Sequence, residues 1–234
     1  MIELNSATKR YGSLVAVDNV SFSVKAGEYF ALLGPNGAGK TTIVKMLLDF
    51  TKPTSGRLAI RGIPCANAAS RAAVGYLAEN NHIPPYLTGL QYLQRCAELL
   101  DIKRSDAMDQ CRRIVKLIGM EGREDTKVNT YSKGMIQRLG IGAALIGNPK
   151  LLILDEPTAG LDPIGIREIR QLLESLKDQG LTIFLNSHLL SEVEKICDNA
   201  AIINRGKLLV KDKISAIVKD GDTLEDVFVR LVKG

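Results

Sequence analysis

A glycine-rich segment near the start of the chain has the residue types and the spacing to bind a triphosphate. The apolar run Tyr29–Leu33 leads directly into a Gly-x-x-x-x-Gly-Lys-Thr motif. Glycines adopt backbone angles closed to other residues, so successive N–H groups of such a loop can point at phosphate oxygens. In this motif Lys40 is expected to reach the β- and γ-phosphates, and the Thr41 hydroxyl is expected to bind Mg²⁺. The predicted nucleotide-binding residues are Gly34, Pro35, Asn36, Gly37, Ala38, Gly39, Lys40, Thr41 and Thr42.

Acidic side chains and a histidine follow two further apolar runs, residues 151–154 and 181–185, which are typical of central parallel strands. Ligands of open parallel sheets bind beyond the carboxyl ends of the strands. The side chains of neighbouring residues in a continuing strand point in opposite directions, so Asp155 and Glu156 can have different roles. We expect Asp155 to hold the magnesium shell and Glu156 to act as general base toward the attacking water. His188 could donate a hydrogen bond to the γ-phosphate or steer that water.

The glycine-rich loop needs a strand before it and a helix after it, and the residues that follow predict that helix. Ile43, Met46, Leu47 and Phe50 recur at i, i+3, i+4 and i+7, which indicates a helix with one buried face. The N-terminus of such a helix adds partial positive charge beside the phosphates. This setting disfavours the alternative of an ordinary glycine turn between two elements.

The remainder of the chain predicts an α/β fold. Residues 1–60 are β-rich, whereas residues 87–120 have apolar side chains at helical spacing and are interpreted as a helical insert. Asp162 can cap a helix that starts at Pro163, residues 200–210 predict a hairpin, and residues 224–232 predict a closing helix. The apolar positions of the insert are Leu90, Leu93, Ala97, Leu100, Cys111, Ile114, Val115 and Ile118.

Composition excludes several classes of protein. At 234 residues and 45% hydrophobic, the chain can bury a large core, and we favour one domain over two small ones. The net charge of +5 is mild and scattered, so no nucleic acid partner is expected. The 4 cysteines are far apart, which disfavours a zinc site or a disulfide framework. The longest apolar-leaning stretch, residues 139–149, is too short for a membrane span of roughly 20 residues, and no signal peptide is visible.

The N-terminus of a second predicted helix could also bind an anion. Ser132 precedes a helix-like run and can serve as its N-cap. A helix N-terminus favours anions, yet nothing within one copy of the chain requires this one to face the same phosphate as Lys40. The local pattern therefore leaves open whether this is a ligand site or an ordinary capped helix.

Together these motifs resemble the nucleotide-binding subunit of an ABC transporter over essentially the whole chain. The resemblance rests on an ordered set of segments: Tyr11, residues 34–42, 132–135, 151–156 and 159–162, and His188. It implies a P-loop ABC ATPase fold with a mostly parallel core sheet, an N-terminal antiparallel β subdomain and an inserted helical subdomain. The implied boundaries are 1–234 for a single ATPase domain and 79–135 for the helical subdomain inserted within it.

The resemblance implies further roles. In the family, two copies stack head to tail and hold two MgATP, each between one copy's phosphate loop and the other copy's signature loop. Tyr11 would stack on adenine, with packing beside a turn as the alternative. Asp162 would belong to the D-loop. The signature loop acting on the partner's ATP would consist of Ser132, Lys133, Gly134 and Met135.

The chain departs from the family pattern at two places. The usual signature is Leu-Ser-Gly-Gly-Gln, but here Lys133 adds positive charge and Met135 removes a side chain that could reach back to the helix start. Glu79 stands where the family generally has Gln. A carboxylate there could still bind Mg²⁺ or its water, with a plain loop acid as the alternative. These changes could alter turnover.

The resemblance also implies partners and a location. The second ATPase subunit is expected to be identical, and a membrane permease is expected to contact the loop near residues 80–88. The ending at residues 223–228 resembles that of ATPases paired with a separately encoded, exporter-type permease. The protein would then be cytoplasmic and peripheral on the cytoplasmic face of the membrane.

Two other functions stay open. One is a soluble ABC ATPase that works on ribosomes or DNA, although such proteins usually carry two cassettes or a long coiled-coil insertion. The other is a regulatory module that binds ATP without useful hydrolysis, for which the altered signature leaves room. A GTPase is disfavoured because the chain has no Asn-Lys-x-Asp sequence to read guanine.

Overall fold

The computed structural model describes residues 1–177, 179–219 and 221–233. The strands in this part of the chain are β1 Ile2–Tyr11, β2 Leu14–Val24, β3 Tyr29–Leu33, β4 Ser55–Ile60, β5 Ile63–Pro64, β6 Val74–Leu77, β7 Leu151–Asp155, β8 Thr182–Asn186, β9 Asn199–Asn204 and β10 Lys207–Lys213. The helices are α1 Lys40–Leu47, α2 Gly89–Leu99, α3 Arg104–Leu117, α4 Lys133–Leu145, α5 Pro163–Lys177, α6 Leu190–Ile196, α7 Ile214–Ile217 and α8 Leu224–Lys233.

The larger sheet has the strand order β10-β9-β3-β8-β7-β6, and only β10 runs antiparallel to its neighbour. Strands β3, β7 and β8 are apolar throughout most of their length and fully buried, because helices and the second sheet cover both faces. The register aligns Asp155 with Asn186, and Asn186 with Leu32. The carboxyl ends of the three central strands therefore meet at one edge, as ligand binding requires.

The smaller sheet is antiparallel, with the order β2-β1-β4-β5. It packs on the larger sheet through a layer that includes Phe22, Phe30 and Phe184. The Phe22 and Phe30 rings lie 5.4 Å apart between centroids, and the Phe30 and Phe184 rings lie 5.7 Å apart, in stacked pairs. The predicted fold class, with an N-terminal antiparallel sheet and a mostly parallel core sheet, is confirmed.

Helix α1 begins at Lys40, directly after the glycine-rich loop, and buries Ile43, Met46 and Leu47 as predicted. The prediction that Phe50 continues this buried face is wrong, since Phe50 is 66% exposed. The helix ends at Leu47, and Asp49 has a φ of 60°, which turns the chain out of the helical repeat. Phe50 then lies edge-on against Tyr76, with 6.1 Å between the ring centroids.

Helices α2 and α3 form the centre of the predicted helical insert and bury most of its apolar positions. Leu100 is an exception because α2 ends at Leu99 and Asp101 has a φ of 53°, so Leu100 faces outward and that prediction was wrong. The boundaries 79–135 and 1–234 stay predictions, and Gly234 lies outside the described residues.

Helix α4 returns the chain to the sheet and packs closely on β6. A Cβ on Gly75 would collide with the main-chain carbonyl of Ala144, so only glycine allows this approach. Gly142 similarly approaches Ile114 and Ile118 of the insert. Among the described residues, none of these helices has the length and apolar character to cross a membrane.

Phe30→Ala tests the contact between the two sheets. Phe30 is fully buried between two other rings, so we expect the free energy of unfolding to fall by about 3–5 kcal/mol. Phe50→Ala is the matched control and should cost less than about 1.5 kcal/mol, because that ring has one edge-on aromatic contact and is otherwise exposed. Denaturant titration measures both values. Equal losses would show that the aromatic layer does not join the sheets.

Candidate active site

A cavity of about 370 Å³ lies at the carboxyl edge of β3, β7 and β8. Its wall combines the glycine-rich loop and the start of α1 with the residues that follow β7 and β8. The sequence-predicted residues in the wall are Gly34, Pro35, Asn36, Lys40, Thr41, Glu79, Asp155, Glu156 and His188. Residues that lie 154 positions apart in the chain, Gly34 and His188, are thus brought to one cavity.

The glycine-rich loop wraps around the ammonium group of Lys40. Lys40 Nζ donates hydrogen bonds to the carbonyls of Gly34, at 2.7 Å, and Pro35, at 3.2 Å. Gly39 has a φ of 108°, a conformation that favours glycine, and a Cβ on Gly34 would collide with the carbonyl of Ile203. These contacts shape the loop around Lys40, whose ammonium group lies at its centre.

Burial sets the electrostatics of Lys40, which is only 7% exposed. Removal from water lowers its pKa from the ordinary value, whereas the nearby carboxylates of Glu156, Asp155 and Glu79 oppose that change. One buried cation thus faces three acidic side chains. An anionic ligand bound beside Lys40 would add to the negative charge that stabilises the ammonium.

Asp155, at the end of β7, is also almost completely buried. Burial raises the pKa of Asp155. The hydrogen bond that Asn186 Nδ2 donates to Asp155 Oδ1 opposes this rise, whereas the negative charges of Glu79 and Glu156 add to it. Asn186 Oδ1 is buried and accepts no hydrogen bond from the described part of the chain. It therefore has capacity for a donor or a cation, and it lies at the strand end next to Asp155.

Glu156 pairs with His188 across two strand ends. Its Oε2 lies 2.7 Å from His188 Nδ1, and its main-chain N–H donates to the carbonyl of Asn186 at 2.8 Å. The expectation that Asp155 and Glu156 would alternate along a continuing strand was wrong. Glu156 has a φ of 52°, and this left-handed turn after β7 brings both carboxylates into the same cavity wall.

Other predicted site residues lie elsewhere. Tyr11 is 45% exposed at the end of β1, with Lys9 Nζ 4.9 Å from the ring centroid, and is not part of the cavity wall. Ser132 caps α4 by accepting a hydrogen bond from the Met135 N–H at 3.2 Å. Asp162 caps α5 by accepting from the Gly165 N–H at 2.8 Å. The remaining predicted residues outside the wall are Gly37, Ala38, Gly39, Thr42, Lys133 and Gly134.

Lys133 is exposed at the start of α4, and the end of its side chain lies against the predicted D-loop. A Cβ on Gly160 would collide with Lys133 Nζ, so the ammonium group rests against the backbone of Gly160. Gly160 has a φ of 66° and belongs to the turn that leads to Asp162 and α5. The altered residue of the signature segment therefore contacts the predicted D-loop of its own chain.

Four further residues of the wall have no predicted role: Asn186, Ser187, Leu190 and Phe228. The sequence places Asn186 and Ser187 with His188 at a strand end expected to carry chemistry, whereas Leu190 and Phe228 were missed as site residues. Leu190 starts α6 and Phe228 belongs to α8. Both are apolar residues of helices, and nothing in their local pattern distinguishes them from core residues.

The donor set fits a hard divalent cation. The Thr41 hydroxyl, the Asp155 and Glu79 carboxylates and the unpaired Asn186 Oδ1 all present oxygen toward the cavity or its edge. Within the described ranges, no cluster of three or more His, Cys, Asp or Glu side chains could hold a metal by itself. Mg²⁺ in proteins usually keeps several waters and is bound through one or two carboxylates together with substrate phosphates.

Comparison with known proteins indicates the same family as the sequence motifs. The family model described as ABC transporter matches residues 17–159, which is more than half of the chain. The chain belongs to this ABC transporter family, as an ATP-binding protein. The matched region contains the glycine-rich loop, both carboxylates and the start of α4, and the chain therefore carries an ABC ATPase cassette.

Curated relatives support the family. An uncharacterized ABC transporter ATP-binding protein of Nostoc sp. is 42% identical over 90% of this chain and 63% of its own length. Bacitracin transport ATP-binding protein BcrA of Bacillus licheniformis is 42% identical over 89% of this chain and 68% of its own. Lantibiotic transport ATP-binding protein SrtF of Streptococcus pyogenes is 36% identical over 97% and 96%. This ABC protein thus spans less than two thirds of some relatives.

Solved structures agree. The ATP-binding subunit of an ABC transporter superimposes with a TM-score of 0.88 at 28% identity, covering 99% of both chains. A dimeric ATP-binding cassette in a post-hydrolysis state, bound to ADP and Pi, has a TM-score of 0.81 at 25% identity and covers 92% of this ABC protein and 99% of the cassette. Both likenesses extend over nearly the entire chain.

Asp155→Asn should stabilise the ligand-free ABC protein at neutral and alkaline pH. Because folding raises the pKa of Asp155, its ionised form costs stability above that pKa, and the cost disappears as the pH falls through it. Thermal unfolding between about pH 8 and about pH 4, without nucleotide or magnesium, measures the difference. The advantage of the variant should be largest at the alkaline end and shrink toward the acid end.

Asp226→Asn provides a control of opposite sign. Hydrogen bonds from Thr223 lower the pKa of Asp226, so this variant should be less stable than the parent above the ordinary pKa of about 3.9. A lower stability of Asp155→Asn at about pH 8 would mean that its hydrogen bond with Asn186 outweighs the cost of burial.

Proposed function

We propose that the chain is the ATP-hydrolysing subunit of an ABC transporter, which cleaves MgATP at a head-to-tail dimer interface and thereby powers a separately encoded membrane permease. One observation carries the proposal: Lys40, Asp155 and the Glu156–His188 pair line a single cavity at the end of a parallel sheet. That set combines a phosphate-binding cation, a metal ligand and a candidate base.

Lys40 and the loop amides would bind the β- and γ-phosphates. Phosphoryl transfer proceeds through a loose transition state, so catalysis depends more on charge neutralisation and positioning than on covalent chemistry. Mg²⁺ held by Thr41 and Asp155, with Glu79 nearby, would supply further positive charge to the phosphate oxygens. The bonds from Lys40 Nζ to Gly34 and Pro35 keep the ammonium in place before ATP arrives.

Glu156 would take the proton of the attacking water. Its side chain is 10% exposed, and the left-handed turn at this residue aims it into the cavity. The contact with His188 Nδ1 fixes one carboxylate oxygen and leaves the other free for the water. His188 would thereby orient the base as well as approach the γ-phosphate through its second ring nitrogen.

The second half of each site would come from another copy. Ser132 and Lys133 lie at an exposed helix start outside the cavity wall of their own chain. Lys133 contacts Gly160, so this helix start lies next to the predicted D-loop. ABC cassettes work as dimers, and the relative bound to ADP and Pi is dimeric, which supports a partner that supplies residues 132–135.

The permease would dock near the predicted coupling loop, on the cytoplasmic face of the membrane. Tyr86 is 71% exposed within residues 80–88, and the exposed ring of Phe50 lies against Tyr76. Large exposed aromatic side chains are enriched at protein interfaces. The relatives named for bacitracin and lantibiotic transport support a transporter as the assembly in which this subunit works.

Glu156→Gln should leave ATP binding intact and reduce turnover by about 10²–10⁴-fold, because the amide cannot accept the proton from water. The variant should also accumulate as an ATP-bound dimer. Phosphate release, nucleotide binding and size-exclusion chromatography with ATP provide the three measurements.

Glu121→Gln removes an exposed carboxylate outside the cavity and serves as the matched control, with parental turnover expected. Parental turnover by Glu156→Gln itself would contradict the assignment of the base. Absence of phosphate release from the parent, with or without a permease, would favour the regulatory module instead.

Mixing two inactive variants tests whether the sites are shared between copies. Lys40→Ala and Ser132→Ala should each be inactive alone, whereas their mixed dimer contains one site with both side chains intact. Random mixing should restore about a quarter of the parental phosphate release if each intact site works alone. No recovery from a mixture shown to exchange subunits would contradict the head-to-tail arrangement.

A further inference from the structure

Besides Pro35 of the glycine-rich loop, two apolar side chains line the mostly polar wall that contains the Glu156–His188 pair. They are Leu190, which starts α6 two residues after His188, and Phe228 of α8. Phe228 belongs to α8, which begins at Leu224. Neither phosphate binding, metal binding nor dimer formation requires an apolar residue of α8 in this cavity.

The first turn of α8 is fixed so that Phe228 has a defined position. Thr223 and Asp226 cap the helix reciprocally: the Thr223 N–H donates to Asp226 Oδ2 at 2.9 Å, and the Asp226 N–H donates to Thr223 Oγ1 at 3.2 Å. Leu224 is fully buried, and its N–H donates to Glu194 Oε2 of α6 at 3.3 Å. The helix is thus anchored to α6, the element that directly follows the His188 segment.

Phe228 both packs against the core and lines the cavity wall. Leu224 and Val227 are the buried residues of this helix, and Phe228 is only half-buried, beside them. The ring therefore contributes a surface to the cavity in addition to the contacts that hold the helix. A residue whose purpose was packing alone would be expected to turn away from a polar, ligand-sized cavity.

In the Glu156–His188 contact, the carboxylate is shielded from solvent and the imidazole is exposed. The side chain of Glu156 is 10% exposed, whereas that of His188 is 58% exposed. A contact between polar groups in water contributes little, since solvent screens it and competes for its hydrogen bonds. An apolar ring in the same cavity wall excludes water on its side of the cavity, and a polar contact is stronger where water is excluded.

We propose that Phe228 is a positioning residue for hydrolysis: its ring forms the apolar side of the cavity that holds His188 against Glu156 and limits water to the molecule that attacks the γ-phosphate. Leu190 extends this apolar side from α6. The C-terminal helix thereby becomes part of the active site. This inference rests on the proposed hydrolysis of ATP in the same cavity.

Phe228→Ala should lower kcat by about tenfold, within the range of coupling between neighbouring residues, and leave KM within about twofold, because the phosphate loop is untouched. Phe228→Leu keeps an apolar side chain and should recover most of the loss. Val229→Ala is the matched control, since Val229 is exposed on the same helix and outside the cavity wall. Thermal unfolding checks that α8 stays folded in each variant.

A double-mutant cycle separates positioning of His188 from a general effect on the helix. In a His188→Ala background, the further change Phe228→Ala should have little additional effect on kcat, because the contact that it supports is already absent. Independent losses that multiply would overturn the proposal. Equal kcat for Phe228→Ala and the parent would overturn it as well.

A second readout does not depend on hydrolysis. The chain has 2 histidines, His82 and His188, and their imidazole signals can be followed by NMR in the ligand-free protein. Phe228→Ala should shift the His188 signal and leave His82 unchanged, and Val229→Ala should shift neither. If the parent does not hydrolyse ATP, the proposed function fails, but this shift still decides the placement of Phe228; an unchanged His188 signal overturns it.

Discussion

The register of the three central parallel strands is the constraint on which the candidate site depends. Pairing of Asp155 with Asn186, and of Asn186 with Leu32, brings the ends of β7, β8 and β3 to one line. A shift of one residue in either pairing would turn the side chains after the strand to the opposite face. Lys40, Asp155 and Glu156 would then no longer share a cavity. Burial of these strands on both faces enforces the register, because their apolar side chains fit the core in one alignment.

The same burial creates an electrostatic cost that the nucleotide can offset. Removal from water lowers the pKa of Lys40 and raises that of Asp155, so both charged forms are less favourable than they would be in water. Triphosphate oxygens beside Lys40 and a divalent cation beside Asp155 would stabilise both charges together. The cavity thus presents charged groups of both signs, which suits a ligand that combines phosphates with a divalent cation.

The sequence predicts those parts of the fold and site that depend on local patterns. The strand Tyr29–Leu33, the glycine-rich loop and α1 follow from glycine conformation and apolar spacing over a few residues. The patterns failed at Phe50 and Leu100, where left-handed residues at Asp49 and Asp101 end each helix, because a continued apolar repeat carries no sign of a non-glycine turn. They also missed Phe228, since the contact of α8 with the cavity is set by tertiary packing and not by any pattern within that helix.

One copy of the chain gathers the candidate groups for phosphate, metal and base in one cavity, yet the predicted signature segment lies outside the wall of that cavity. Lys133 is instead held against Gly160 of the same chain, so the start of α4 and the turn before α5 contact each other on one side of the molecule. A second copy that binds there would meet both segments at once, because the start of α4 and the turn that Asp162 closes lie side by side. The departure from the usual signature therefore places a cation against the turn before α5 as well as at the start of α4.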